Sequence, residues 1–228
     1  MKKKIQFILN QPQLSENIGM SIRSIGCFGF EQLHLVNPRN PWPNDKGIKS
    51  AKHFTRIAHK VKTFLTIPEA IKKSDIVIAT TVRPRDIEIP HIKLEDIAKI
   101  KSKNISIIFG QENNGLNNKE ISHANYILTL PTNNQSSLNL SHAVSIVAFH
   151  ISQLKSKYPK KSPNNYISST QIEKFIHFLM KILKKKGFTT IPSKSQNLEI
   201  SIRNFLKTNN IDEKMLKTVY GMLKFITK

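Results

Sequence analysis

The stretch "FGQENNGLNNKE", residues Phe109 to Glu120, follows directly on the apolar run ISIIF at 105–109. A short apolar run that ends at polar residues predicts a buried β-strand. Two glycines, Gly110 and Gly115, then frame a polar loop. The stretch therefore predicts a strand that ends in a glycine-framed loop, which is either a tight turn at Asn114-Gly115 or a ligand-binding loop.

Two common nucleotide-binding loops are excluded by the residues that follow. The G-x-x-x-x-G spacing of Gly110 to Gly115 matches the start of a P-loop, but Leu116 and Asn117 stand where that motif needs lysine and serine or threonine. A G-x-G-x-x-G sequence, which marks dinucleotide-binding folds, follows none of the predicted strands.

The rest of the first 155 residues alternates between two periodicities. Helical spacing of apolar residues covers 17–28, 68–73 and 139–153, and between these segments lie the short apolar runs IQFIL, QLHLV, DIVIAT, ISIIF and NYILTL. Alternating strands and helices favour an α/β fold with a parallel sheet flanked by helices.

Composition narrows the class of partner. The 228 residues include 36 Lys and Arg against 15 Asp and Glu, a net charge of +21 with a pI near 10.1. Such a charge favours binding to polyanions, and nucleic acid is favoured over a membrane surface.

The single cysteine, Cys27, excludes a disulfide framework and a cysteine-based zinc site. The N-terminal apolar run stops at Leu9 and no 18-residue apolar stretch occurs, so a cytoplasmic protein is expected.

The positive charge is densest in the C-terminal third. Residues 156–228 carry 15 basic and 4 acidic side chains. Residues 156–169, rich in Lys, Ser, Asn and Pro, are predicted to be a linker between an α/β domain at 1–155 and a basic helical extension at 170–228. Thr170 and Glu173 have the spacing of a helix-capping box at the start of that extension.

Two further stretches each read as an ordinary capped helix when taken alone. LSENIGMSIRSIGCFGF, residues 14–30, has Ser15 as a possible cap and carries Arg23 among small and apolar neighbours. LPTNNQSSLNLSHAVSIVAFHI, residues 130–151, reads as strand, polar loop and helix, with Ser137 or Asn139 as the cap.

Taken together and in order, the three stretches resemble the motifs of the SPOUT class of RNA 2′-O-ribose methyltransferases, within the TrmH/SpoU superfamily. Those motifs are N-x-G-x-x-x-R at 17–23, F-G-x-E-x-x-G-L at 109–116 and S-L-N-L-S-x-A-V at 137–144. The match is closest to the TrmJ branch, the tRNA (cytidine/uridine-2′-O-)-methyltransferases. Residues 34–38 and the segment IEKFIHFLMKILKKKGF also resemble that branch, so the resemblance covers nearly the whole chain.

The resemblance implies a fold, a reaction and partners. The fold would be a SPOUT domain with a C-terminal trefoil knot, assembled as a homodimer whose site is shared between subunits. The reaction would be S-adenosylmethionine-dependent 2′-O-methylation of tRNA, at cytidine or uridine 32 of the anticodon loop, with no metal and no membrane. The alternatives are a ribosomal-RNA 2′-O-methyltransferase of the same class and a non-catalytic RNA-binding protein.

The resemblance also implies site residues. The residues expected to bind S-adenosylmethionine are Thr80, Thr81, Val82, Gly110, Gly115, Leu130, Ser136, Ser137 and Leu138. The expected catalytic set is Arg23, Asn17, Glu112, Ser137 and Asn139. Because a guanidinium hardly gives up its proton, we expect Arg23 to hold the nucleotide's phosphate and stabilise a developing alkoxide.

Overall fold

The computed structural model describes residues 3–82, 87–133, 137–154, 167–188, 191–209 and 211–227. The strands are β1 Lys4–Asn10, β2 Leu33–Val36, β3 Lys62–Phe64, β4 Ile76–Thr80, β5 His91–Ile92, β6 Asn104–Phe109 and β7 Tyr126–Leu128. The α-helices are α1 Ser15–Cys27, α2 Asp45–Ala51, α3 Thr55–Ala58, α4 Ile67–Ala70, α5 Asn118–Ile121, α6 Leu140–Leu154, α7 Ser169–Lys185, α8 Pro192–Thr208 and α9 Glu213–Ile226. Short 3-10 helices cover Lys52–Phe54 and Leu94–Lys99.

The seven strands form one sheet in the order β3-β2-β1-β6-β4-β7-β5, and all pairs are parallel. The predicted α/β class with a parallel sheet flanked by helices is therefore confirmed. The five apolar runs became β1, β2, β4, β6 and β7. The edge strands β3 and β5 and the helices of residues 45–58 were not predicted, because these segments carry no clear apolar period.

Side chains alternate between two cores on opposite faces of the sheet. Phe7 and Leu9 of β1 lie in the larger core, where α1 and α6 cover the sheet. The Phe7 ring stacks on Phe109, with centroids 6.3 Å apart, and meets the edge of Phe30. Ile8, which points to the other face, lies in a smaller core with residues of α4 and α5. Apolar packing on both faces is what a parallel sheet requires.

The last three helices, α7 to α9, enclose an apolar cluster of their own. Its buried members are Ile167, Ile172, Phe175, Ile176, Leu206, Ile211 and Leu216. The cap of α7 differs from the predicted one: Ser168 and Gln171 form the capping box, while Thr170 Oγ1 donates to the Lys72 carbonyl. Residues 156–166 of the predicted linker lie outside the described residues. Within the described ranges, no helix combines the length and apolar character needed to cross a bilayer.

The C-terminal helices dock on the sheet unit through buried polar contacts. Arg203 of α8, 7% exposed, donates to both carboxylate oxygens of Glu173 at 2.8 and 3.0 Å and approaches Ser122 Oγ at 3.4 Å. Asn125 accepts from Val77 N at 2.8 Å and donates to the Lys207 carbonyl at 3.1 Å, so it links β4 to α8. A buried guanidinium that lost its carboxylate would be costly, so Glu173 and Arg203 hold the helices in place as a unit.

This interface shifts several pKa values. Burial lowers the pKa of Lys207 to about 7, and burial also lowers the pKa of His123. Burial acts to raise the pKa of Glu173, but the neighbouring His123 and Arg203 outweigh it and lower that pKa to about 2. At neutral pH the interface therefore holds an ionised Glu173, a charged Arg203 and a lysine close to its titration midpoint.

Lys207 makes the free energy of unfolding depend on pH. Its folded pKa, about 7, lies below the ordinary value of 10.5, so between these pH values the unfolded chain binds more protons. Unfolding free energy should therefore rise with pH across this window, with a slope that approaches about 1.4 kcal/mol per pH unit for this one group. Urea denaturation of wild type and Lys207→Met between pH 6.5 and 10 measures the difference.

We expect Lys207→Met to be the more stable protein at pH 6.5 and to lose this part of the pH slope. The exposed Lys214→Met is the matched control and should keep the wild-type slope. Parallel pH profiles for wild type and Lys207→Met would contradict the assignment.

Candidate active site

A pocket opens at the carboxyl edge of the sheet, where β4, β6 and β7 end side by side. Its volume is about 680 Å³, including the part open to solvent. Its lining residues are Thr80, Thr81, Val82, Phe109, Gly110, Gln111, Glu112, Gly115, Leu128, Leu130, Ser137, Leu138, Leu140 and Ala143. The three loops that follow adjacent parallel strands thus meet at one place, where α/β sheets commonly bind ligands.

The residues expected to bind the cofactor lie in this pocket, with one left outside the described residues. Thr80, Thr81, Val82, Gly110, Gly115, Leu130, Ser137 and Leu138 all contribute to its wall. Ser136 lies outside the described residues. Their roles in binding stay a prediction, but segments up to 58 residues apart in the chain share one wall, as that prediction requires.

The loop after β6 is both a tight turn and a pocket wall. Gly115 N donates to the Gln111 carbonyl at 3.0 Å, and the two residues form an isolated bridge. Gly115 has φ +64°, a conformation that favours glycine, and the space beside it is open. A Cβ on Gly110 would collide with the backbone of Gly115 and Leu116. Gly110 is thus required first by the fold of the loop itself.

The Glu112 carboxylate joins this loop to the start of α1. It accepts hydrogen bonds from Gln13 N at 2.9 Å, Leu14 N at 3.3 Å and Asn17 Nδ2 at 2.8 Å. The first N–H groups of a helix lack partners within the helix, and a carboxylate there also complements the helix dipole. Ser15, a candidate cap from the sequence, is buried and accepts from Asn44 instead. Glu112 serves in the place of a local cap.

Asn139 brings the third motif into the same network. Its Nδ2 donates to Asn17 Oδ1 at 3.1 Å, and its Oδ1 accepts from Ser141 N and Ser141 Oγ at 2.9 and 2.7 Å. Asn139 therefore caps α6, as one sequence alternative proposed, and also holds α1. The chain Glu112–Asn17–Asn139 connects one residue from each motif beside the pocket.

Comparison with known proteins identifies the family. A sequence model described as the SpoU rRNA Methylase family matches residues 4–149. The chain belongs to the SpoU rRNA Methylase family. A tRNA (cytidine-2′-O-)-methyltransferase, TrmJ, from Methanocaldococcus jannaschii is 33% identical over 171 residues, which cover 72% of this chain and 71% of that protein.

Two full-length relatives extend the similarity through the C-terminal helices. The tRNA (cytidine/uridine-2′-O-)-methyltransferase TrmJ from Pectobacterium atrosepticum is 23% identical over 100% of this chain and 98% of its own length. The crystal structure of TrmJ from Z. mobilis ZM4 superimposes with a TM-score of 0.89 at 30% identity, covering 98% of this chain and 99% of that one.

Arg23, the expected catalytic arginine of this SpoU chain, lies apart from the network. It is exposed on α1 and, among the described residues, forms no hydrogen bond or ion pair. The next residue, Ser24, contacts Ser145 of α6 at 2.6 Å, so Arg23 stands beside the α1–α6 contact. Exposed apolar side chains lie on the same two helices: Met20 at 39%, Ile146 at 40% and Phe149 at 50%.

Other pocket residues of this SpoU domain were missed by sequence reasoning. Phe109, Gln111, Leu128, Leu140 and Ala143 line the pocket but were not predicted as site residues. The sequence could have predicted the positions of Phe109 and Leu128, because each is the last residue of a parallel strand and these ends lie at the same edge of the sheet. The amides of Gln13 and Leu14, which bind Glu112, carry no side-chain signal and could not have been found.

Glu112→Gln tests the network through stability. The substitution keeps the shape but replaces an acceptor oxygen with an amide NH2 group that opposes N–H donors, so it should lower the free energy of unfolding by about 2 kcal/mol. Urea denaturation monitored by circular dichroism measures this. Glu16→Gln, at a half-buried position in the first turn of α1, removes the same charge nearby and should change stability little, because no described hydrogen bond depends on the Glu16 carboxylate. Equal effects of the two variants would contradict the assigned role.

Proposed function

We propose that this protein is an S-adenosylmethionine-dependent methyltransferase that methylates a ribose 2′-hydroxyl of tRNA, at cytidine or uridine 32 of the anticodon loop. The observation that carries the proposal is the convergence of Asn17, Glu112 and Asn139 on one connected network at the mouth of one pocket. Three distant motifs of a methyltransferase family meet where a cofactor and a nucleotide would be neighbours. The similarity to TrmJ proteins over the whole chain supports tRNA as the substrate.

The pocket has the chemistry that this cofactor requires. Phe109, Leu128, Leu130 and Leu140 provide an apolar floor for an adenine ring, and the open space beside Gly115 leaves room for the ligand. Backbone groups at 80–82 and 110–115 and the Ser137 hydroxyl can bind its polar edges. Thr80 Oγ1 donates to the Ile108 carbonyl at 3.0 Å, so this hydroxyl could act toward a ligand only as an acceptor. When bound, S-adenosylmethionine supplies an electrophilic methyl group.

The residues of the chain then have a limited chemical task. The 2′-oxygen must be held in line with the methyl group, and precise orientation is worth several kcal/mol of the barrier. Asn17 and Asn139 are rigidly placed by Glu112 and by the cap of α6, so the site is organised before the substrate arrives. Arg23 would bind the phosphate next to the target ribose and stabilise negative charge that develops on the oxygen, and Ser137 would lie near the methyl group.

We also propose that the protein forms a homodimer. The position of Arg23 is one reason for this proposal. Arg23 is outside the network of its own chain, while Met20, Ile146 and Phe149 form an exposed apolar face on α1 and α6 around it. A second copy packed on this face would bury apolar surface and bring Arg23 to the partner's pocket. Exposed apolar surface shared by adjacent helices supports such an interface.

The trefoil knot is a further part of the proposal. β7 lies in the sheet between β4 and β5, although these two strands come earlier in the chain and are consecutive. β7 therefore lies between two strands that an earlier part of the chain already connects. After β7 the chain continues into α6, which packs on the 3-10 helix Leu94–Lys99. This order supports threading of the C-terminal part of the domain through the segment between β4 and β5.

The basic C-terminal region, 170–228, is proposed as an electrostatic platform for tRNA, joined by the linker 156–169 to the methyltransferase domain 1–155. Residues 156–228 carry 15 basic against 4 acidic side chains. Two of the acids, Glu173 and Glu213, already pair within the region, with Arg203 and Lys217. The surplus lysines are therefore available to RNA phosphates. We propose the cytoplasm, where tRNA is processed, as the location of the protein.

The direct test is methyl transfer. The protein is incubated with labelled S-adenosylmethionine and either bulk tRNA or ribosomal RNA, and the labelled nucleotide is mapped. We expect label in tRNA at a ribose of the anticodon loop. The name of the SpoU rRNA Methylase family makes ribosomal RNA the second candidate substrate. If only ribosomal RNA is labelled, the substrate is rRNA and the proposal of tRNA is wrong. Binding of RNA without label in either pool would favour a non-catalytic RNA-binding protein.

Arg23→Ala should separate catalysis from cofactor binding. Loss of a transition-state electrostatic contact should lower kcat/KM by a factor on the order of 10² or more, while S-adenosylmethionine affinity in calorimetry stays near wild type. Arg23→Lys should restore little, because the planar guanidinium matters as well as its charge. Arg56→Ala, a surface arginine paired with Glu31, is the control. Wild-type turnover in Arg23→Ala would show that another group has this role.

A further inference from the structure

One face of the parallel sheet is covered along only half of its length. On the face that carries Ile8, Val36 and Ile108, these apolar residues pack under α4 and α5. Toward the amino ends of the same strands, the side chains on this face are polar: Lys4 and Gln6 on β1, His34 on β2, and Asn104 and Ser106 on β6. Parallel sheets are normally buried on both faces, so this half is exceptional.

The uncovered half forms a groove of about 1090 Å³, including its open part. Four exposed lysines line it, Lys4, Lys60, Lys62 and Lys73, and among the described residues that line it Glu31 is the one acid. Glu31 is paired with Arg56 at 3.2 Å, and within the described part of the chain none of the four lysines forms an ion pair. The groove therefore presents concentrated positive charge that its own carboxylate does not neutralise.

The floor of the groove is polar and uncharged. Gln6 Nε2 donates to the Ala70 carbonyl, and the Ser74 and Ser106 hydroxyls bond each other at 2.6 Å. Burial, and then the charge of Lys62, lower the pKa of His34 to about 4, so the imidazole is neutral at physiological pH. A small anion enclosed in the groove would need charged donors on the floor, and the floor has none among the described residues. The lysines at the rim are instead placed to contact an extended polyanion that lies across the groove.

We propose that this groove, lined by Lys4, Lys60, Lys62 and Lys73, binds the sugar-phosphate backbone of the RNA substrate at a second site. The proposal rests on the proposed function, since it concerns the same substrate. The groove and the pocket lie at opposite ends of β1 and β6, and five or six strand residues correspond to roughly 15–20 Å. An RNA that reaches both sites must extend well beyond the target nucleotide.

The lining argues for RNA over two other partners. A membrane surface would need apolar side chains to insert. Of the described residues that line the groove, only Leu33 and Ile105 are aliphatic, and both are buried. A second copy of the chain would bring another strongly positive surface, at net +21 for the whole chain, against four unpaired lysines. The phosphates of an RNA backbone complement the charge of the groove.

The test compares two double variants in full-length protein. Lys62→Ala with Lys73→Ala removes two groove charges, and Lys49→Ala with Lys93→Ala removes two exposed charges elsewhere in the sheet domain. Binding of full-length tRNA is followed by fluorescence anisotropy between 50 and 300 mM salt. For the groove variant we expect affinity on the order of tenfold weaker at low salt, and a slope of log affinity against log salt shallower by about 2. The control should keep the wild-type slope.

Three further readouts separate this proposal from others. S-adenosylmethionine affinity and kcat at saturating tRNA should stay at wild-type values while KM for tRNA rises, because the groove is remote from the reacting atoms. Equal losses in the groove and control variants would overturn the proposal in favour of a non-specific field. A variant with a changed molar mass in light scattering and unchanged tRNA binding would also overturn it. That result would mean that Lys62, on the edge strand β3, prevents strand pairing between molecules, or that the groove is an interface between copies of the chain. Since RNA binding is measured without methyl transfer, failure of the enzymatic proposal would be seen separately, as absence of label.

Discussion

The hydrogen bonds to the Glu112 carboxylate are the constraint on which the site depends. The loop after β6 can close as a turn without it, through Gly115 N and the Gln111 carbonyl. The carboxylate then fixes that turn against α1, by accepting hydrogen bonds from two main-chain N–H groups, those of Gln13 and Leu14, and from the Asn17 amide. Asn17 in turn fixes Asn139 and with it the start of α6. One ionised group thus sets the relative position of three segments that are distant in sequence.

The described hydrogen bonds to this carboxylate involve no arginine or lysine side chain. All three of its described donors are neutral N–H groups. The negative charge is stabilised by hydrogen bonds and by the N-terminal dipole of α1, and it does not engage the arginine of that helix. Arg23 lies outside the network, which leaves its guanidinium for the phosphate contact that we propose. An ion pair between Glu112 and Arg23 would have used both groups for structure.

The sequence predicted the centre of the sheet better than its edges. β4 and the carboxyl halves of β1 and β6 are apolar because they are buried on both faces. β3 and β5 are short and partly exposed, so neither carries an apolar period. The cap of α7 shows a different limit. Thr170-x-x-Glu173 and Ser168-x-x-Gln171 both fit a capping box, and tertiary contacts decide between them: Thr170 bonds the Lys72 carbonyl and Glu173 pairs with Arg203. No local pattern encodes partners 30 or 98 residues away.

The site was predictable only in part for the same physical reason. The motifs identify which residues meet, because three loops at adjacent strand ends of a parallel sheet must share an edge. They do not identify main-chain partners such as Gln13 N, nor the buried interface in which Asn125 and Arg203 hold the C-terminal helices. That interface fixes a strongly basic helical unit to a sheet whose uncovered groove is also basic. The two positively charged surfaces that we propose to bind RNA are therefore held together by a few buried polar contacts, those of Arg203 with Glu173 and of Asn125 with the Lys207 carbonyl.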